Sequence, residues 1–163
     1  MDINDLIKRF SDTTENQCKA IFSSLFIAGN KLQTIFDNHI PEISLKQFML
    51  LTMIKQSQEQ LTFTQLGKLL GCSRQNVKKL AFTLEKKGFV FITKSENDAR
   101  ALTIHSTKKL DKFFETVFIS YQEDLHYLFD IYTEKEIQQL FNLMMKLYAG
   151  IDNLERNYCD EKK

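Results

Sequence analysis

Apolar positions recur at helical spacing over most of this chain, and polar residues mark where each run begins. From Thr13 or Thr14 onward, Ile21, Leu25, Ala28, Leu32, Ile35 and Phe36 keep one face apolar and predict a long helix. That helix should end before Pro41, because the residue ahead of a proline disfavours the α region. Three Ser/Thr-x-x-Glu/Gln signatures precede further apolar runs: Ser44-x-x-Gln47, Thr62-x-x-Gln65 and Thr133-x-x-Glu136. In such a capping box the hydroxyl bonds the backbone N–H three residues on, and the Gln or Glu reaches back. They predict helices from about Leu45 to Lys55, from Phe63 to Leu70, and from Glu134 to about Tyr158. Another run, Leu110, Phe113, Phe114, Val117, Phe118, Tyr121, Leu125 and Leu128, predicts a helix from Thr107 to about Ile131.

The stretch from Thr64 to Lys109 departs from this monotony. After the short helix ending at Leu70 comes a Gly-Cys-Ser break, then a helix with Ser73 as its N-cap and Gly88 as its left-handed stop. Val77, Leu80, Ala81 and Leu84 form its buried stripe, while Arg74, Gln75, Lys78, Lys79, Glu85 and Lys86 lie off it, as does Phe82. Two β-branched and aromatic runs, Phe89 to Thr93 and Leu102 to Ile104, flank the polar segment Lys94 to Arg100 and predict a hairpin. Helix, turn, helix and hairpin in that order read as a helix-turn-helix with a β-wing. The fold class expected is mainly α with a small β-wing.

Charge sharpens the picture. Residues 64–109 hold ten Lys/Arg against three acids, a net of +7, whereas the remainder of this +1 chain nets −6. A basic module flanked by acidic sequence suggests a polyanion partner. A helix in the major groove reads bases with its first turn, where Arg pairs guanine and Gln or Asn pairs adenine. Arg74, Gln75 and Asn76 occupy that turn. Thr64, Gln65, Ser73, Lys78 and Lys79 suit phosphate contacts, which position without specifying. On the wing, Lys94, Asn97 and Arg100 are candidates for DNA contact; Arg100 suits a narrow minor groove and also an ion pair with Asp98.

The last predicted helix carries Ile137, Leu140, Met144, Leu147, Ile151, Leu154 and Tyr158 at alternating steps of three and four, a heptad seam. Its central residues, Leu140, Met144, Leu147, Ile151 and Leu154, predict a homodimer interface; an antiparallel hairpin with the preceding helix would use the same stripe. The 14 Phe, 5 Gly and single Pro fit a mostly helical chain. No apolar run is long enough to span a bilayer, and the N-terminus lacks a secretory signal, so a cytoplasmic protein without a membrane partner is expected. Three widely spaced Cys (18, 72, 159) form neither a disulfide framework nor a metal pair. The histidines 39, 105 and 126 have no partners at ligand spacing. No metal, cofactor or enzymatic site is expected.

The segment TQLGKLLGCSRQNVKKLAFTLEKKGFV, followed by NDARALTI and preceded by ISLKQFMLLTMI, closely resembles the MarR family of regulators, specifically across residues 43 to 107. The resemblance implies a dimeric winged helix-turn-helix regulator of transcription, more often a repressor, on a palindromic double-stranded DNA operator. It implies N-terminal dimerisation helices in 1–42, with Ile3, Leu6 and Ile7 at the interface, a DNA-binding domain in 43–107, and C-terminal dimerisation helices in 108–163. Recognition helices about one turn apart would place half-sites about 34 Å apart. Ser73, Arg74, Gln75, Asn76, Lys78 and Lys79 match the family's recognition-helix positions, and Asp98 and Arg100 its wing pair. Ala99 stands where the family usually has Arg, Ile92 where a basic residue is common, and Lys109 where Gly is usual. The resemblance also implies a small aromatic or phenolic effector, and Phe22, Phe26, Phe36, Phe113, Phe114 and Tyr121 supply aromatic surface for it. Some members sense peroxide through a Cys in the first helix; Cys18, followed by Lys19, is the candidate here. An adaptor whose winged domain binds protein is the alternative from another class, and it has no need of the +7 window.

Overall fold

A computed structural model describes residues 3–57, 59–95 and 101–160. The order is α1 (Ile3–Phe10), α2 (Thr14–His39), α3 (Leu45–Gln56), α4 (Phe63–Leu70), α5 (Arg74–Lys86), β1 (Val90–Lys94), β2 (Leu102–Ser106), α6 (Lys108–Phe129) and α7 (Glu134–Asp160). The capping signals act as their spacing predicts. Ser44 and Thr62 each accept the backbone N–H three residues on, and Gln47 and Gln65 reach back to the cap N–H. Thr133 and Glu136 make the same reciprocal pair ahead of α7. Such caps are worth about 1 kcal/mol each. Sequence reasoning missed α1 as a separate helix, and β1 and β2 run one and two residues further than expected.

The chain divides into two compact units, Met1–Asp111 and Lys112–Lys163. In the first, α3 and α4 pack against α5, and α5 packs against β1. The core is built from Phe48, Leu50, Leu51, Phe63, Leu66, Val77, Ala81, Leu84, Phe89, Val90 and Ile104. Two glycines make the sharp exits. Gly71 (φ 61°) follows α4, and Gly88 (φ 78°) follows α5. After each, the chain closes a Schellman motif: Cys72 N–H donates to the Gly67 carbonyl, and Phe89 N–H to the Leu84 carbonyl. β1 and β2 pair antiparallel with Ile92 opposite Ile104. A bridge between Thr62 and Thr103 ties the hairpin to the start of α4. Val90 and Ile104 face the core, while Phe91 stacks on His105 (centroids 4.7 Å apart) on the opposite face.

The two long helices α2 and α7 behave differently from this core. Phe36, packed on Phe48, is the buried residue of α2; Ile21, Leu25, Leu32 and Ile35 of its predicted stripe are exposed. None of the described residues of α7 is buried. Among the described residues, no helix is long and apolar enough to cross a membrane.

Candidate nucleic-acid interface

The candidate interface is built around α5. Its stripe anchors it from below: Val77, Ala81 and Leu84 are fully buried and Leu80 half-buried. The opposite face carries Arg74, Gln75, Asn76, Lys78 and Lys79, all exposed. Ser73 caps the helix, its hydroxyl oxygen accepting the Asn76 backbone N–H at 3.2 Å. The remaining first-turn N–H groups carry the positive end of the helix dipole, which favours an anion at that spot. Phe82, whose role the sequence left open, is 38% exposed, with the Lys78 ammonium 5.7 Å above its ring.

The fold brings three of the predicted groups to one place. An open groove of about 450 Å³ runs past Thr64 and Gln65 at the start of α4, Arg74 at the start of α5, and Ser95 and Leu102 at the loop end of the hairpin. Nothing in the sequence signals that these segments share a groove; the Thr62–Thr103 bridge brings the loop end of the hairpin alongside α4. Lys94, at the end of β1, is exposed. Asn97, Asp98 and Arg100, with their predicted contacts and ion pair, lie outside the described residues.

The basic window itself divides. Lys87 donates to the Glu42 carbonyl (2.6 Å) and to Gln47 Oε1 (3.3 Å). Lys109 donates to the Lys87 carbonyl (2.9 Å), pairs with the Glu42 carboxylate (3.3 Å) and lies over the Phe89 ring. These two ammonium groups clasp the α2–α3 connection to the end of α5, and sequence reasoning missed them because their partners are up to 67 positions away. Sequence alone shows Glu85 only as an off-stripe residue; its carboxylate accepts the Ile92 backbone N–H at 2.8 Å.

Away from α5, the dimer candidates are uncovered in the single chain. Ile7 is exposed, while the side chains of Ile3 and Leu6 lie outside the described set. Leu140, Met144, Ile151 and Leu154 are exposed and Leu147 half-buried. Of the effector candidates, Phe22 and Phe26 make an exposed edge-to-face pair, Phe36 and Phe113 are buried, and Phe114 and Tyr121 are half-buried. Cys18 is an exposed thiol on α2, and the neighbouring Lys19 ammonium is engaged with Glu15 at 2.6 Å.

Residues 43–102 match the model of the MarR family. The transcriptional repressor MprA of Escherichia coli K12 is 31% identical over 108 residues, covering 66% of this chain and 61% of the repressor. The chain thus aligns with less than two thirds of that relative's length. A MarR/EmrR family regulator from Acinetobacter sp. ADP1 superposes with a TM-score of 0.75 at 19% identity, over 83% of this chain and 96% of that one. Sco3205 of Streptomyces coelicolor, a MarR family regulator solved in complex with DNA, superposes with a TM-score of 0.74 at 20% identity, over 85% and 92%.

Proposed function

The chain belongs to the MarR family, and from that premise we propose that it is a homodimeric, sequence-specific DNA-binding regulator of transcription, acting as a repressor. One observation carries the reading. A helix with an apolar underside presents Arg74, Gln75, Asn76, Lys78 and Lys79 outward, and Arg74 lines a groove shared with Thr64, Gln65 and the loop end of the hairpin. The first turn reads base edges, and Lys78, Lys79 and Lys94 hold phosphates. In this proposal the DNA contact extends to Asn97 and Arg100, which lie outside the described residues.

Residues 43–107 are the DNA-binding domain in this reading; 1–42 and 108–163 pair two copies. The exposed apolar stripes of α2 and α7 support it, since a solvated seam of this length is costly and a second copy covers it. Relief by a small aromatic molecule is part of the proposal, supported by the exposed Phe22–Phe26 pair. The test is a titration of duplexes drawn from the DNA flanking the gene. Specific affinity that falls steeply with salt is expected; no affinity for any fragment at low salt would end the proposal.

A further inference from the structure

Glu85 stands near the C-terminal end of α5, away from the base-reading turn, and it is an acid in the most basic part of the chain. Its partner is the Ile92 backbone N–H, at 2.8 Å. The register explains why that donor needs one. The Phe89 carbonyl accepts from Thr107 N–H, and Ser95 N–H donates to the Ala101 carbonyl, so odd-numbered residues of this segment turn their backbone groups toward β2. Ile92, between them, faces away along the unpaired edge of the strand. Both Glu85 and Ile92 are half-buried, so water competes weakly for the bond. A backbone N–H bonded to a carboxylate is also shorter and stronger than one bonded to a neutral acceptor.

The position of this bond has a consequence for the wing. The chain leaves α5 through the left-handed turn at Gly88 (φ 78°), and the buried Phe89 and Val90 anchor the start of β1. Lys94 lies two residues beyond Ile92, about 7 Å along the strand. A bond at Ile92 therefore holds the strand between its buried start and its exposed cation. We propose that Glu85 is a positioning residue: it holds β1 against the recognition helix so that Lys94 meets the DNA backbone in the same pose in which Arg74 to Asn76 meet the bases. The gain is pre-organisation, since a wing already aligned loses little freedom when it binds. This rests on the DNA-binding reading above.

Two measurements test it. Amide exchange at Ile92 needs no DNA. In Glu85→Ala it should quicken at least ~10-fold, while in Glu85→Gln, which keeps an acceptor and drops the charge, it should quicken distinctly less. Equal exchange in wild type and Glu85→Ala overturns the proposal. The second is the salt dependence of duplex affinity by fluorescence anisotropy. Lys94→Ala should flatten the slope by about one in wild type and in Glu85→Gln, and by nothing in Glu85→Ala. The same loss in all three backgrounds overturns the proposal, because a merely structural glutamate would leave the wing contact intact. A wild-type protein that binds no duplex removes the DNA reading itself, and the Ile92 exchange still shows separately whether Glu85 holds the strand.

Discussion

Gly67→Ala separates two effects of opposite sign. Gly67 is buried in the last turns of α4, where alanine should be better than glycine by about 1 kcal/mol on helix propensity alone. A Cβ there would lie 2.7 Å from the Cys72 carbonyl oxygen, 3.5 Å from the Arg74 nitrogen and 3.6 Å from the Ser73 carbonyl carbon. Ordinary contact starts at 3.4 Å, so the turn must retreat by about 0.7 Å. All three atoms are backbone, and the Cys72 N–H bond to the Gly67 carbonyl (2.9 Å) closes the same turn, so nothing nearby yields cheaply. Overpacking of this kind costs about 1–3 kcal/mol. The net expectation is a loss of up to about 2 kcal/mol, or a Tm lower by up to about 8 °C at this chain length. Because the displaced segment is the one that starts α5, duplex affinity should fall as well. Gly29, in α2, has nothing within 4 Å and is the control: Gly29→Ala should raise the Tm. The assay is thermal unfolding of both variants beside the wild type. If Gly67→Ala raises the Tm as Gly29→Ala does, the close approach of the turn to α4 is wrong.

Arg74→Ala or Gln75→Ala should cost about 1–3 kcal/mol of operator affinity and relax one base position, whereas Lys79→Ala should weaken all sequences alike and flatten the salt slope by about one; competition titrations with single-base variants distinguish them. Leu140→Asp with Ile151→Asp places charge on the seam of α7, where each apolar side chain is worth about 1.5–3 kcal/mol when covered. Sedimentation velocity should then show monomers at micromolar concentration, and an unchanged species would contradict the proposed interface. Hydrogen bonds from the Thr133 backbone N–H and hydroxyl hold the Glu136 carboxyl below its ordinary value of 4.5. A lowered folded value gives stability that is complete above 4.5 and lost as the pH falls through the lowered one. The protection factor of the Thr133 amide, which donates to that carboxylate, should therefore fall on acidification once the slower intrinsic exchange at low pH is divided out, and Glu136→Gln should remove that dependence.

Much of the fold was legible because its signals are local. A capping box spans four residues, and Ser44, Thr62 and Thr133 each start a helix where their spacing says. The Val77-to-Leu84 stripe is likewise a property of one helix, and Gly88 takes the left-handed turn its place after α5 demands. Contacts across the chain left no such trace. Gly67 reads as an ordinary helical glycine until Cys72 is seen to cross it, and Lys87 reads as one more cation until it is found on Glu42. The stripes of α2 and α7 mark the opposite limit. Periodicity shows that a face is apolar, and both faces are, but it carries no record of what covers them.

The candidate site holds a further constraint that the residue types alone hide, because two of its members also cap helices. Gln65 Oε1 accepts both the backbone N–H (2.8 Å) and the hydroxyl (2.7 Å) of Thr62, which commits the oxygen and leaves the amide NH2 as the outward group. Ser73 likewise spends an oxygen lone pair on Asn76 N–H and keeps its O–H to give. Capping turns both side chains into donors, Gln65 at the rim of the groove and Ser73 at the start of α5. Phosphate oxygens only accept, so both suit the backbone, and base reading falls to Arg74, Gln75 and Asn76. Gln65→Glu tests this directly. Glutamate completes the capping box as well as glutamine does, so the Tm should hold. Its second oxygen would replace the outward NH2 with negative charge beside a phosphate, and such a like-charge meeting costs several kcal/mol. Duplex affinity should drop at least ~10-fold, equally for operator and unrelated sequence. A variant that folds normally and binds as the wild type does would place Gln65 off the DNA backbone.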